Sequence, residues 1–202
     1  MTAQPPTPVK PQLAIDGRRL RSETSRLRIV EAIIALVSEG LAMPPAEAVA
    51  TRAGVGLRTV FRLFEDMDGL YRGMQAVMTE RLGGLLENPI EAADWREAVS
   101  ILIDRRAEAF EILLPLQIAA DGPRTRSAAL REGRARLVRG QRDTLLAVLP
   151  AGIRADAVLV DALDLALSFE AWRRLRTDQG ADIATAKAVM GRMAQALTRD
   201  RA

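Results

Sequence analysis

Apolar residues recur along most of the chain at the three- and four-residue spacing of one helical face. In the first such segment, residues 22–39, the apolar positions are Leu27, Val30, Ile33, Ile34 and Val37. Runs that alternate apolar and polar residues, as strands require, are scarce. The pattern therefore predicts an all-α protein. We expect its first helix to cover residues 22–39, with Ser22 capping its start and Gly40 following its end.

Proline and glycine mark the boundaries between the later periodic segments. They predict short helices over residues 45–52 and 57–64, joined by a tight turn at 53–55, and a long helix over 68–86 with Asp66 as a cap. Further helices are expected over residues 95–114, 116–121, 123–148, 154–178 and 182–199. Residues 1–17 are rich in proline and poor in apolar side chains, so we expect an unstructured leader there.

The composition excludes several classes of function. The chain has neither His nor Cys, so disulfides, imidazole or thiolate metal sites and most nucleophile–base pairs are ruled out. We therefore expect no metal, no cofactor and no enzymatic activity. The sequence contains no apolar run of about 18 residues and no apolar signal core near its start, so we expect no membrane span and a cytoplasmic location.

The positive charge is concentrated near the beginning of the chain. The formal net charge is only +3, but residues 10–28 contain six cations (Lys10, Arg18, Arg19, Arg21, Arg26, Arg28) against two acids (Asp16, Glu23). A basic segment on a nearly neutral body suits a partner with a phosphate backbone. A solvated tail has the same composition, so this feature alone leaves the question open.

Residues 45–70 combine the features of a helix-turn-helix. Two short helices can cross closely because Ala50 is small, and Gly54 can adopt the left-handed backbone that the turn needs. Val55, Val60 and Phe64 are placed to anchor the second helix. Its outer face, with Arg58, Thr59 and Arg62, is then left to contact phosphates or base edges in a major groove.

The same residues resemble the signature of the tetracycline-repressor (TetR) family. The matching strings are Glu39-Gly40, Val49-Ala50, Ala53-Gly54-Val55, Thr59-Val60-Phe61, Phe64 and Leu70. The resemblance implies a helix-turn-helix DNA-binding domain over residues 18–67, followed over 68–202 by a helical domain that binds an effector and dimerises.

Carried over by position, the recognition helix covers residues 56–64, and the start of the first helix touches phosphate. The implied DNA contacts are Arg18, Arg19, Arg21, Ser22, Gly56, Leu57, Arg58, Thr59, Phe61 and Arg62. Four positions depart from the family pattern. Phe61 replaces Tyr, Leu63 replaces His, Met67 replaces Lys and Gly56 replaces a Ser cap. We expect the basic arm (Arg18, Arg19, Arg21 and Arg26) to compensate for the phosphate-binding groups that these positions lack.

The resemblance also implies an effector cavity and a dimer seam in the second domain. Its apolar residues suit an ordinary core as well as either of these features. Candidate ligand contacts are Phe110, Leu113, Gln117 and Trp172. Candidates for the seam, formed by the last two long helices of each subunit, are Phe169, Trp172, Leu175, Met190, Met193 and Leu197.

The function implied is that of a homodimeric repressor, released from a palindromic DNA operator by a largely apolar small molecule. The alternative is an all-helical dimer that binds a ligand or a protein and has a vestigial DNA-binding domain, because Phe61 and Met67 lack the family's hydroxyl and ammonium groups.

Deleting residues 1–21 is expected to flatten the salt dependence of DNA binding. Removing one cation from a phosphate lowers the slope of log affinity against log salt by roughly 0.9. Anisotropy titrations at several salt concentrations measure this slope, and an unchanged slope would contradict the role assigned to the arm.

Overall fold

The computed structural model describes residues 12–86 and 88–201, and side chains from residue 19 onward. Its helices are α1 (Gln12–Ser38), α2 (Ala46–Ala53), α3 (Leu57–Phe64), α4 (Met67–Leu86), α5 (Trp95–Arg124), α6 (Ala128–Val148), α7 (Ala151–Arg154), α8 (Ala157–Ala166), α9 (Phe169–Arg173) and α10 (Ile183–Leu197), with a π-helical turn, Arg174–Asp178, directly after α9. Strands are absent from these two ranges, which confirms the all-α prediction. No helix in them is long and apolar enough to cross a bilayer.

Helix α1 begins earlier than the sequence pattern indicated. It starts at Gln12, so Ser22 lies inside the helix and does not cap it. The expectation of an unstructured leader is wrong for residues 12–17 and lies outside the described residues for 1–11. The last proline of the segment is Pro11, and beyond it the single Gly17 costs a helix only about 1 kcal/mol.

The end of α1 matches its prediction. Gly40 has a φ of 96°, and two amides reach back to the final turn, Gly40 N–H to Val37 O (3.0 Å) and Leu41 N–H to Leu36 O (3.0 Å). These are the two bonds of a Schellman motif. Leu27 is exposed, however, because the buried face of α1 runs through other apolar residues, namely Ile29, Val30, Ile33 and Val37.

The α2–turn–α3 unit forms as predicted. α2 ends in the same motif as α1: Gly54 has a φ of 64°, and Val55 N–H donates to Ala50 O at 3.0 Å. Val60 and Phe64 of α3 are buried. The Asp66 carboxylate then accepts from Gly69 N–H (2.7 Å), which confirms it as a cap at the start of α4.

Three predicted boundaries in the second half are wrong. α5 continues through Pro115 and through Gly122-Pro123, where breaks were expected. A proline inside a helix removes one hydrogen bond and adds strain, but burial of Leu113 and Leu116 on either side favours continuation. The predicted helix over 154–178 is divided at Leu167–Ser168, where the Ser168 hydroxyl accepts from Ala171 N–H (3.1 Å) and starts α9.

One hydrophobic core extends through both halves of the described chain. Phe110 of α5 is buried in this core and packs edge-on against Phe169, with ring centroids 5.5 Å apart. Three large apolar residues of the second half are exposed, namely Ile112, Ile118 and Val158. Periodicity alone did not separate them from neighbours that face the core.

Replacing Gly54 by Ala is expected to destabilise the protein by about 1–2 kcal/mol, the cost of holding a side chain in a left-handed backbone. The new Cβ would also lie 2.7 Å from Arg28 Nη2. Urea unfolding followed by circular dichroism measures the effect.

Gly84→Ala is the matched control, because Gly84 lies within α4 and a Cβ there meets nothing within 4 Å. It is expected to stabilise the protein by about 0.5–1 kcal/mol. If both substitutions changed stability in the same direction, the role of the Gly54 backbone would be wrong.

Candidate DNA interface and ligand cavity

The outward face of α3 carries the side chains that the sequence assigned to DNA. Arg58, Phe61 and Arg62 are exposed, and Thr59 is half-buried. Among the residues that the structure describes, neither Arg58 nor Arg62 has a carboxylate within ion-pair distance. Their charge is therefore available to a partner.

Gly56 and Leu57, at the start of α3, are two further residues that the sequence assigned to DNA. Gly56 is exposed at the N-cap, with no side chain to bond the first amides of the helix, and Leu57 is half-buried. A Cβ at Gly56 would meet nothing within 4 Å, and its φ is −71°, so the backbone does not require glycine here.

Two arginines of the basic segment, Arg26 and Arg28, form hydrogen bonds within the same subunit. Arg26 donates to Leu63 O (2.7 Å), and its guanidinium lies 4.4 Å from the centre of the Phe64 ring. Arg28 donates to Ala53 O (2.5 Å). They bond carbonyls in the last turn of α3 and of α2, where a helix dipole favours cations. Arg26 is therefore engaged in holding the helix-turn-helix.

The rest of the basic arm lies within the first half of α1. Arg19 pairs with Glu23 on the helix surface (3.0 Å), Arg21 is exposed and Ser22 is half-buried. The side chain of Arg18 lies outside the described residues. Since deleting residues 1–21 would shorten α1, replacing Arg19 and Arg21 by Gln tests the role of the arm in salt-dependent binding while leaving the helix at full length.

The start of α4 is bonded to the start of α6. Asp68 accepts from the Ser127 hydroxyl (2.5 Å) and from Ala129 N–H (3.2 Å). The Ser127 hydrogen bond lowers the pKa of the Asp68 carboxyl. Further along α4, the Gln75 amide donates to Ala129 O (3.0 Å). These bonds fix the helix that follows the helix-turn-helix against the second half of the chain.

A cavity of about 420 Å³ lies between α4, α5 and α6. Phe110, Leu113 and Gln117, three of the predicted ligand contacts, line it. Its other large apolar residues are Met74, Met78, Leu82, Leu86, Leu116, Leu130 and Leu137. Trp172 does not line this cavity: it is buried behind Phe110, and its indole N–H donates to Glu111 Oε1 (2.8 Å).

The two buried polar residues of the cavity wall were missed from the sequence. Arg106 is 1% exposed, and Gln141 is also buried. Burial lowers the pKa of Arg106 to about 10, so its guanidinium stays charged at neutral pH. A signal was present, because Arg106 interrupts the buried stripe of Leu102, Ile103, Ala107 and Phe110 at helical spacing. An arginine on the apolar face of a helix indicates a buried polar role.

Most of the predicted dimer residues are enclosed within one subunit. Phe169, Trp172, Leu175 and Met190 are buried in the core, so a second chain cannot reach them, and their assignment to a seam is wrong. Met193 is half-buried and Leu197 is exposed. The most exposed large apolar residues of the last helices are instead Val158 (80%) and Leu165 (68%) of α8.

No protein-family model matches the sequence, and a search of curated proteins gives no match. Similar solved structures include two regulators. A TetR transcriptional regulator from Rhodococcus sp. RHA1 is 20% identical, with a TM-score of 0.60 over 90% of this chain and 100% of its own. A transcriptional regulator from Rhodococcus sp. Rha1 is 15% identical, with a TM-score of 0.64 over 86% of this chain and 96% of its own. The resemblance inferred from residues 39–70 is thus confirmed at the level of structure: the chain has the fold of a TetR-type transcriptional regulator.

Proposed function

We propose that this protein is a homodimeric DNA-binding transcriptional regulator, which a small molecule releases from a palindromic operator. The observation that carries the proposal is the surface of α3. Val60 and Phe64 anchor this helix in the core, while Arg58 and Arg62 are left exposed beside the half-buried Thr59. A helix held in this way can enter a major groove with its guanidinium groups directed at phosphates or guanine.

Helix α4 supports the proposed control by a ligand. Leu70 near its start is fully buried with the helix-turn-helix core, and Met74, Met78 and Leu82 further along line the cavity. A ligand that fills the cavity therefore contacts α4, the helix that directly follows α3 in the chain. By linkage, it weakens DNA binding only as far as it prefers a conformation in which the two recognition helices are wrongly spaced.

The exposed face of α8 supports dimerisation. Val158 and Leu165 are seven residues apart, so they lie on one side of the helix. α8 packs against α10, whose exposed residues include Ala184, Ala188 and Ala196. Small side chains allow helices to approach closely, so α8 and α10 of two subunits suit a four-helix bundle about a twofold axis. This seam replaces the predicted one, in which Phe169, Trp172, Leu175 and Met190 are buried.

Arg58→Ala and Arg62→Ala are each expected to weaken binding to the operator by about 1–3 kcal/mol, or roughly 5- to 150-fold. The operator is first selected from random duplex DNA by the wild-type protein, and affinities are then measured by anisotropy. Arg154→Ala, at an exposed arginine of α7, is the control and should bind as wild type does. Failure of a folded wild-type dimer to select any duplex at low salt would favour a vestigial DNA-binding domain.

Leu165→Glu is expected to convert the dimer to monomers, because the twofold axis would bury two unpaired carboxylates in one seam. A cost of about 3 kcal/mol raises the dissociation constant by more than 100-fold. Analytical ultracentrifugation measures the mass, and circular dichroism checks that the helices persist. Val138→Glu, at an exposed valine of α6, should leave the dimer intact. If Leu165→Glu remained dimeric, the seam would lie elsewhere.

A further inference from the structure

The wall of the cavity contains buried hydrogen-bond donors that lack acceptors. Within the described part of the chain, three buried side-chain nitrogens have no partner, namely Arg106 Nε, Arg124 Nε and Gln141 Nε2. All three residues line the cavity between α4, α5 and α6. Because buried polar groups are nearly always bonded, three orphaned donors around one cavity indicate an absent acceptor.

The orientation of the Gln141 side chain follows from its one bond. Phe169 N–H is a donor, so the atom 2.9 Å from it must be the amide oxygen of Gln141. The NH₂ end of Gln141 is therefore directed away from Phe169, and it is this end that lacks a partner. If the oxygen and nitrogen of the Gln141 amide were exchanged, its NH₂ group would face Phe169 N–H, and two donors would lie against each other.

Arg106 is a buried cation with only neutral groups in contact. Its guanidinium donates to Leu167 O (2.8 Å), to Thr144 Oγ1 (3.1 Å) and to the carbonyl of Gln141. Asp164 acts on it only through space, and its own partner is Arg142 (3.5 Å). A buried charge with no opposite charge in contact is costly, which favours a bound anion.

The other charges around the cavity do not supply that anion. Arg124 pairs with Asp121 (2.8 Å), and Arg134 pairs with Glu170. Arg136 donates to the Gln75 amide oxygen. The only acid in the cavity wall, among the described residues, is Asp143, which is exposed. The wall therefore carries more positive than negative charge, with the excess at its buried end.

A purely structural role explains only part of this arrangement. By bonding Leu167 O, where α8 ends, Arg106 joins α5 to α8, and this accounts for the presence of an arginine. It leaves Arg106 Nε and the Gln141 amide without acceptors, however. An entirely apolar ligand would leave these two donors without acceptors, so the cost of their desolvation would remain.

We propose that the cavity binds an amphipathic monoanion, a carboxylate attached to an apolar chain or ring. Its carboxylate accepts hydrogen bonds from Arg106 and Gln141, and its apolar part lies along Met78, Leu82 and Leu113. The role of this molecule as an effector rests on the proposed function, whereas its binding does not. The expected largely apolar effector thereby gains a charged head.

Matched pairs of probes test the charge requirement on the wild-type protein. Octanoate is compared with octan-1-ol, and 2-naphthylacetate with 2-(2-naphthyl)ethanol, by isothermal titration calorimetry on the full chain. In at least one pair the carboxylate should bind ten times more tightly than its alcohol, or better. Equal affinities within both pairs, or no binding by either carboxylate, would overturn the proposal.

Gln141→Glu tests the assigned head-group site. The substitution keeps an oxygen for Phe169 N–H but replaces the orphaned NH₂ by a second acceptor of negative charge. We expect carboxylate affinity to fall at least tenfold and the alcohol's affinity to remain unchanged. Gln179→Glu, the same change at an exposed glutamine, should alter neither. Carboxylate binding as tight in Gln141→Glu as in wild type would overturn the assigned site. If this variant unfolds, the comparison of the probe pairs on the wild-type protein still tests the ligand class.

Failure of this proposal and failure of the proposed function give different results. The titrations are made without DNA, and the DNA anisotropy assay is made without ligand. Carboxylate binding by a protein that selects no operator would refute the regulator and leave the ligand class standing. Operator selection by a protein that binds both alcohols as tightly as the matching carboxylates would refute the ligand class and leave the regulator standing.

Discussion

The rest of the structure depends on the apolar stripe of α4, which is shared between two environments. Leu70, Met74, Met78 and Leu82 follow one another at intervals of four residues and are all buried. The first belongs to the core beneath α3, and the other three line the cavity. Because protein interiors are close-packed and transmit strain, a displacement of α4 at the cavity is transmitted along this stripe toward the helix-turn-helix. Hydrogen bonds from Ser127 and Ala129 to Asp68 give the helix a fixed point at its beginning, just before Leu70.

The helix-turn-helix is itself stabilised with charge that the sequence seemed to offer to DNA. Arg26 and Arg28 come from the basic segment, yet each bonds a carbonyl at the end of a short helix. Helices of eight residues are marginal alone and need such tertiary support. In the proposed regulator, phosphate binding is then left chiefly to α3 and to the first turns of α1. A smaller number of cations at the phosphates means a weaker dependence on salt, and sequence readout by Arg58 and Arg62 carries more of the affinity.

The parts of the fold that were predictable are those fixed by local chemistry. The bounds of α3, the left-handed Gly54 and the Asp66 cap all follow from side chains within a few residues of one another. The course of α5 through Pro115 depends on burial by distant helices, so a local rule placed a break there. The dimer residues failed for a related reason. Periodicity identifies an apolar face, but it does not tell whether that face meets the same chain or a second copy, and Trp172 and Met190 meet the same chain.

The candidate cavity and the candidate seam are connected by Phe110, which the sequence assigned to the ligand, and by Arg106, which it assigned to neither. Phe110 lines the cavity and also packs against Phe169 and Trp172 of α9. Arg106 has the same double position, because it lines the cavity and bonds Leu167 O at the end of α8. An anion at Arg106 would therefore bind where α5, α6 and α8 meet. Its charge would act on the base of the proposed dimer helix, while its apolar part would press on α4. In the proposed dimer the spacing of the two recognition helices would depend on both elements, so a ligand with a charged head and an apolar body would act on that spacing at two points, where a purely apolar ligand would act at one.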